Sequence, residues 1–186
     1  DFGFEIERPP GDGWAFMDGK DAPEGIAIPV TVVHAETGSQ VVVQVAPDVA
    51  PIAEFARRLS NGLGEKYGFS TTQPIRLADN RMEFQFSVED RVLGRVGLRQ
   101  ERGRVFVLLG TWPKDAPYQV IVEVRAIMES LRPVMVLEGS YAATENQVFS
   151  AASHSAGGGT PSSLARTCSV DLASPSSLAA ALRFPR

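Results

Sequence analysis

The sequence predicts an α/β (α+β) domain, a three-layer α/β/α sandwich around a mainly antiparallel sheet. Three observations predict it. Between residues 81 and 133 the runs RMEFQFSV, LGRVGLRQE and RVFVLLGTW follow one another with only tight turns between them, and PYQVIVEVRAIMESLRP closes the stretch as an amphipathic helix. A second helical pattern lies upstream, so a helix precedes the strand meander and another follows it. Residues 105–109 (VFVLL) are apolar throughout, the mark of a strand covered on both faces.

Each element has its local reason. Residues 2–8 (FGFEIER) alternate Phe4 and Ile6 with Glu5 and Glu7, a half-buried strand that Pro9, Pro10, Gly11 and Gly13 end before Trp14. Asp12, Asp18, Asp21 and Glu24 then read as an acidic loop. AIPVTVVH (27–34) and QVVVQVA (40–46) flank the turn at Glu36, Thr37, Gly38 and Ser39 and make a hairpin. Pro29 makes the first of these an edge strand or a strand start. Over 49–65, Ile52, Phe55, Ala56, Leu59 and Leu63 share one helical face. Asp48 is the expected cap, Pro51 sits in the first turn, and Gly62, Gly64 and Gly68 mark the end.

A short strand at 74–77 and a turn at Asp79 and Asn80 lead into the meander. There Met82, Phe84, Phe86 and Val88 alternate with Arg81, Glu83, Gln85 and Ser87, so the strand has one wet face. Residues 101–104 (ERGR) form the tight turn between the last two strands. The closing helix, 117–131, turns Ile121, Val124, Ile127, Met128 and Leu131 to the sheet and Glu123, Arg125 and Glu129 mostly outward.

Composition bounds the rest. The 186 residues suffice for one core, or one domain and a tail. A net charge of −4 argues against a nucleic-acid surface. No apolar run approaches the ~20 residues of a membrane span. The chain opens at Asp1 without Met, which suggests a trimmed start and leaves room for an upstream signal or anchor. Cys168 is the single cysteine, so no internal disulfide forms, and with only His34 and His154 a Cys/His zinc site is excluded. No metal or other cofactor is expected.

Composition shifts near 133–139. The expected division is a folded domain over 1–136 and a Ser/Ala/Gly-rich low-complexity tail over 137–186, disordered or loosely attached. Within the tail, 174–182 (SPSSLAAAL) suits a short helix capped by Ser174. Read-through or frame-shifted translation is an alternative origin for a tail of this composition.

The order of elements, with Phe4, Ile6, Pro9, Gly13 and Trp14 at the start, Gly110, Thr111 and Trp112 in the middle and Ile127, Ser130, Leu131 and Arg132 at the end, resembles the PsbP-like (Mog-like) α/β/α sandwich superfamily, which includes exported bacterial relatives. The resemblance covers about 1–133. Known members act by binding, as subunits on a photosystem's lumenal face or as the partner of a small nuclear GTPase. It implies the fold, a non-catalytic role, and an exported or lipoprotein location.

Two constellations stand out as binding candidates. Trp14 and Trp112 each lie beside a Pro/Gly turn, as lips of a binding surface or as plugs at the ends of the core. Arg95 and Arg99 share one strand face, two alternate positions apart, with Arg91 before them and Arg102 and Arg104 at the hairpin. That row suits a carboxylate, a phosphate or an acidic partner; the plainer reading is a solvated face paired with Glu83, Glu89, Asp90 and Glu101. The acidic loop matches no EF-hand spacing and reads as a solvated turn. His34 has no GxSxG nucleophile to serve, the GGGT of 157–160 lacks the Lys of a phosphate loop, and Cys168 is at most an exposed thiol.

No catalytic residues are assigned. The sequence reads as a non-enzymatic interaction or accessory module with a protein partner, no nucleic acid and no span of its own. The alternative is a small-molecule or lipid carrier using a cleft between sheet and helices near Trp14 and Trp112.

Overall fold

A computed structural model describes residues 3–21, 27–48 and 50–134. Among these residues, ten strands and two helices follow in the order β1 (Phe4–Glu5), β2 (Trp14–Asp21), β3 (Ala27–His34), β4 (Gln40–Pro47), α1 (Ile52–Tyr67), β5 (Ser70–Thr71), β6 (Ile75–Ala78), β7 (Arg81–Val88), β8 (Val92–Glu101), β9 (Arg104–Pro113), α2 (Tyr118–Ser130) and β10 (Arg132–Pro133). The main sheet runs β2-β3-β4-β9-β8-β7-β5, with β6 also on the outer side of β7, and all its pairings are antiparallel.

The chain lays down one meander, β2 to β4, and crosses one face of the sheet as α1. It starts a second meander at the far edge with β5 to β7 and returns through β8 and β9 to close against β4. Helix α2 then covers the other face. Alternation along the strands sorts the apolar side chains into two cores. One holds Phe55, Leu59 and Leu63 of α1 against Val42, Phe84, Val96 and Val107. The other holds Val120, Val124 and Ile127 of α2 against Val41, Val43, Phe106 and Trp112. The sandwich is therefore three-layered, as the sequence predicts.

The turn at 101–104 works because Arg102 (φ 55°) and Gly103 (φ 73°) both take left-handed backbone, which lets a two-residue loop match the strand twist. Gly68 closes α1 in the same region of φ, at 69°.

Four local expectations are corrected. The opening strand is only Phe4–Glu5, and it pairs with β10 instead of joining the main sheet; β10, which begins just past the end of α2, offers it only Arg132 and Pro133. The supposed acidic loop contains strand β2, which places Asp18 and Asp21 in a hairpin with β3. Asp48 does not cap α1: Pro51 holds the N-cap position without a side-chain bond, and Gln100 from β8 accepts from the Ile52 N–H at 3.2 Å. Gly62 and Gly64 lie inside α1, and only Gly68 ends it. The expected tail, with its short helix at 174–182, lies outside the described residues.

Glycines set the layer spacing. At Gly110 an added Cβ would stand 2.6 Å from Met128 Sδ and 2.7 Å from Val124 Cγ1, both on α2. Gly94 lies under the Phe86 ring, its cross-strand partner. Gly110→Ala is therefore expected to push α2 off the sheet and cost about 1–3 kcal/mol, read as a lower urea midpoint at unchanged slope; an unchanged midpoint would show that α2 is held elsewhere.

Candidate functional site

The register of β7 against β8 puts Arg81 opposite Arg99, Glu83 opposite Gly97 and Gln85 opposite Arg95. Period-two alternation turns all these side chains to the α2 face, since Met82, Phe84, Val96 and Leu98 belong to the α1 core. Helix α2 crosses beside them and contributes Arg125, Met128 and Glu129. Between helix and sheet lies a cleft of about 60 Å³, lined by Arg81, Arg95, Arg99 and Arg125, by Glu83 and Glu129, and by apolar residues that include Leu77 and Leu131. Gly97 carries no side chain to fill the notch between Arg95 and Arg99.

The four arginines are not equivalent. Arg95 Nη1 donates to Glu83 Oε2 at 3.1 Å, and its buried Nε has no partner among the described residues. Arg99 donates through Nε to Glu101 Oε2 at 3.0 Å and through Nη1 to the Leu131 carbonyl at 3.1 Å. That second bond caps the C-terminus of α2, where a cation meets the negative end of the helix dipole. Arg81 and Arg125 are exposed and have no carboxylate partner among the described residues. Arg81 thus stands directly across from Arg99, like charge against like, an arrangement that costs stability in a sheet.

The other sequence candidates fall elsewhere. Arg91 lies at the β7–β8 turn and Arg102 at the β8–β9 turn, at opposite ends of a strand roughly 30 Å long. Neither joins the cleft. Trp14 and Trp112 are 4 % and 8 % exposed and packed in the α2 core, so they form no lip. Neither lines the arginine cleft. Trp14 Nε1 donates to Glu123 Oε2 at 2.7 Å, and the indole meets His34 edge-to-face at 5.0 Å. His34 Nδ1 is 3.0 Å from Thr37 Oγ1. Glu123 is thus half-buried, not outward as its helical position suggested. The Trp14 N–H holds its carboxyl below the ordinary value, helped by the Gln119 amide.

Sequence reasoning found Arg95 and Arg99 by their spacing on one strand. It missed Arg81 and Arg125, whose membership depends on strand register and helix position. Alternation of Arg81 with Met82 and Phe84 was the only signal for the first; nothing local marks the second.

No protein-family model matches the chain, and no curated protein matches it in sequence. Among solved structures it is similar to the solution structure of cyanobacterial PsbP (CyanoP) from Synechocystis sp. PCC 6803, with a TM-score of 0.50 and 15% identity over 71% of this chain and 87% of that one. At that identity the likeness concerns the fold, which is PsbP-like.

Two outcomes test this geometry. Arg99→Ala should destabilise by about 1–2 kcal/mol through the lost helix cap, while Arg81→Ala should stay within about 0.5 kcal/mol of wild type or gain stability; equal losses in urea melts would contradict the division. For Glu123 the folded pKa is depressed below 4.5, so its stabilisation is complete above the unfolded value and is lost as pH falls through the folded one. Trp14 supplies the largest part of that depression. Trp14→Phe should flatten the acid side of the stability profile below about pH 4.5, and a profile merely displaced downward would show that Glu123 is not the coupled group.

Proposed function

We propose that this chain is a non-enzymatic accessory module that docks onto a protein partner through the face carrying the arginine cleft. The observation that carries the proposal is the charge of Arg81 and Arg125 beside Arg99, without a carboxylate partner among the described residues, in a chain whose net charge is −4. An acidic protein gains nothing in stability from clustered cations of this kind; a complementary partner offsets their repulsion and is steered by it. The PsbP-like fold supports the same reading, since the binding roles associated with that resemblance are accessory ones. The Mog-like kinship and a location outside the cytoplasm, with any tether upstream of Asp1, belong to the proposal and rest on that resemblance. Among the described residues no helix is long and apolar enough to cross a membrane.

The carrier alternative fits less well. Its expected cleft is at Trp14 and Trp112, where both rings are buried in packed core. The arginine cleft, at about 60 Å³, is far below the several hundred Å³ that a ligand cavity needs.

The test is capture from native extract with the full chain, comparing wild type with Arg81→Glu/Arg125→Glu, a pair that leaves the Glu83 and Leu131 contacts intact. A protein held by wild type and reduced about tenfold or more in the variant, with both folded by circular dichroism, is the expected result. Equal retention by both would move the interface off this face. An equimolar small molecule extracted from the purified protein would favour the carrier.

A further inference from the structure

We infer that the arginine cleft is a receptor for a carboxylate side chain flanked by apolar residues, on an acidic segment of the partner; this rests on the docking reading above. The charge argues for an anion first. Arg81 and Arg125 bring to the cleft two cations with no ion-pair partner among the described residues, and Arg99 stands directly opposite Arg81. A bound anion would replace that repulsion with attraction. The buried Nε of Arg95 is a donor still to be satisfied, and leaving a charged group's N–H without a partner in a desolvated place is costly.

Size and lining then choose the class. About 60 Å³ holds roughly four or five water molecules, room for one carboxylate or a group of similar size. Glu83 and Glu129 also line the space, which disfavours a doubly charged phosphate more than a singly charged carboxylate. Beside the cleft, Leu77 and Ile75 of edge strand β6 are 52 % and 54 % exposed. Ile75 lies opposite Glu83, and Leu77 lines the cleft itself. A strongly hydrated inorganic anion makes no use of that apolar lip. A Glu or Asp with Val, Leu or Ile as neighbour uses both halves of the surface.

The experiment is fluorescence anisotropy of the full chain with two fluorescein-labelled peptides, one alternating valine with glutamate and one alternating valine with glutamine. The glutamate peptide should bind at least about tenfold more tightly, weaken as salt rises, and lose about tenfold with Arg81→Ala/Arg125→Ala while the fold, checked by circular dichroism, is kept. Equal binding of the two peptides, or binding unchanged in the variant, overturns the inference. So does displacement by inorganic phosphate at millimolar concentration, which would make the cleft a phosphate site. If no peptide binds but Arg81→Glu/Arg125→Glu still loses the partner captured from extract, the carboxylate class falls and the docking reading stands.

Discussion

Strand β9 is the constraint on which the rest depends. It pairs along its length with β4 on one side and β8 on the other, and every residue from 105 to 112 is buried. It alone joins the two meanders into one sheet, and both helices pack over it. A strand wet on one side would have no place there, because each face must hold apolar side chains to cover a helix. Its sequence meets that demand with Val105, Val107 and Leu109 toward α1 and Phe106, Leu108 and Trp112 toward α2.

Close packing over β9 brings the arginine face into being. Gly110 lets α2 lie against the strand, and Gly97 leaves a notch one strand further out. Beyond that notch the helix no longer covers the sheet, and polar residues of β7 and β8 take over. The structure sorts these into two kinds. Arg95 and Arg99 are tied to Glu83, Glu101 and the end of α2, so they build the wall. Arg81 and Arg125 stand over it without such ties. A change at Arg95 or Arg99 would confuse damage to the wall with loss of binding, which is why the outer pair is the better probe of function.

The sheet's two edges differ as well. On one side β2 leaves a long edge, with Phe16 and Met17 about half exposed on opposite faces. On the other, β5 and β6 share the flank of β7, and all of β6 is exposed. Short strands of this kind offer little backbone template, so the surface beside the cleft is presented mainly by side chains. The first and last described strands are held separately: β1 pairs with β10, and Ser130 Oγ bonds the Glu7 backbone, accepting from its N–H at 2.9 Å.

By itself the sequence determined what depends on local periodicity: the α+β class, the hairpin of β3 and β4, the meander of β7 to β9, both amphipathic helices, and the shared face of Arg95 and Arg99. These follow from spacings of two and 3.6 residues, which are written along the chain. Only the tertiary structure decided what depends on partners far away. Strand β2, with its Asp and Gly residues, exists because β3 pairs with it. The cap of α1 comes from Gln100, about fifty positions on. The Trp14 ring is plugged into the core by Glu123 of α2. Arg81 and Arg125 meet because strand register and helix packing bring them to one cleft, and register is a property of pairs of strands that neither strand carries alone.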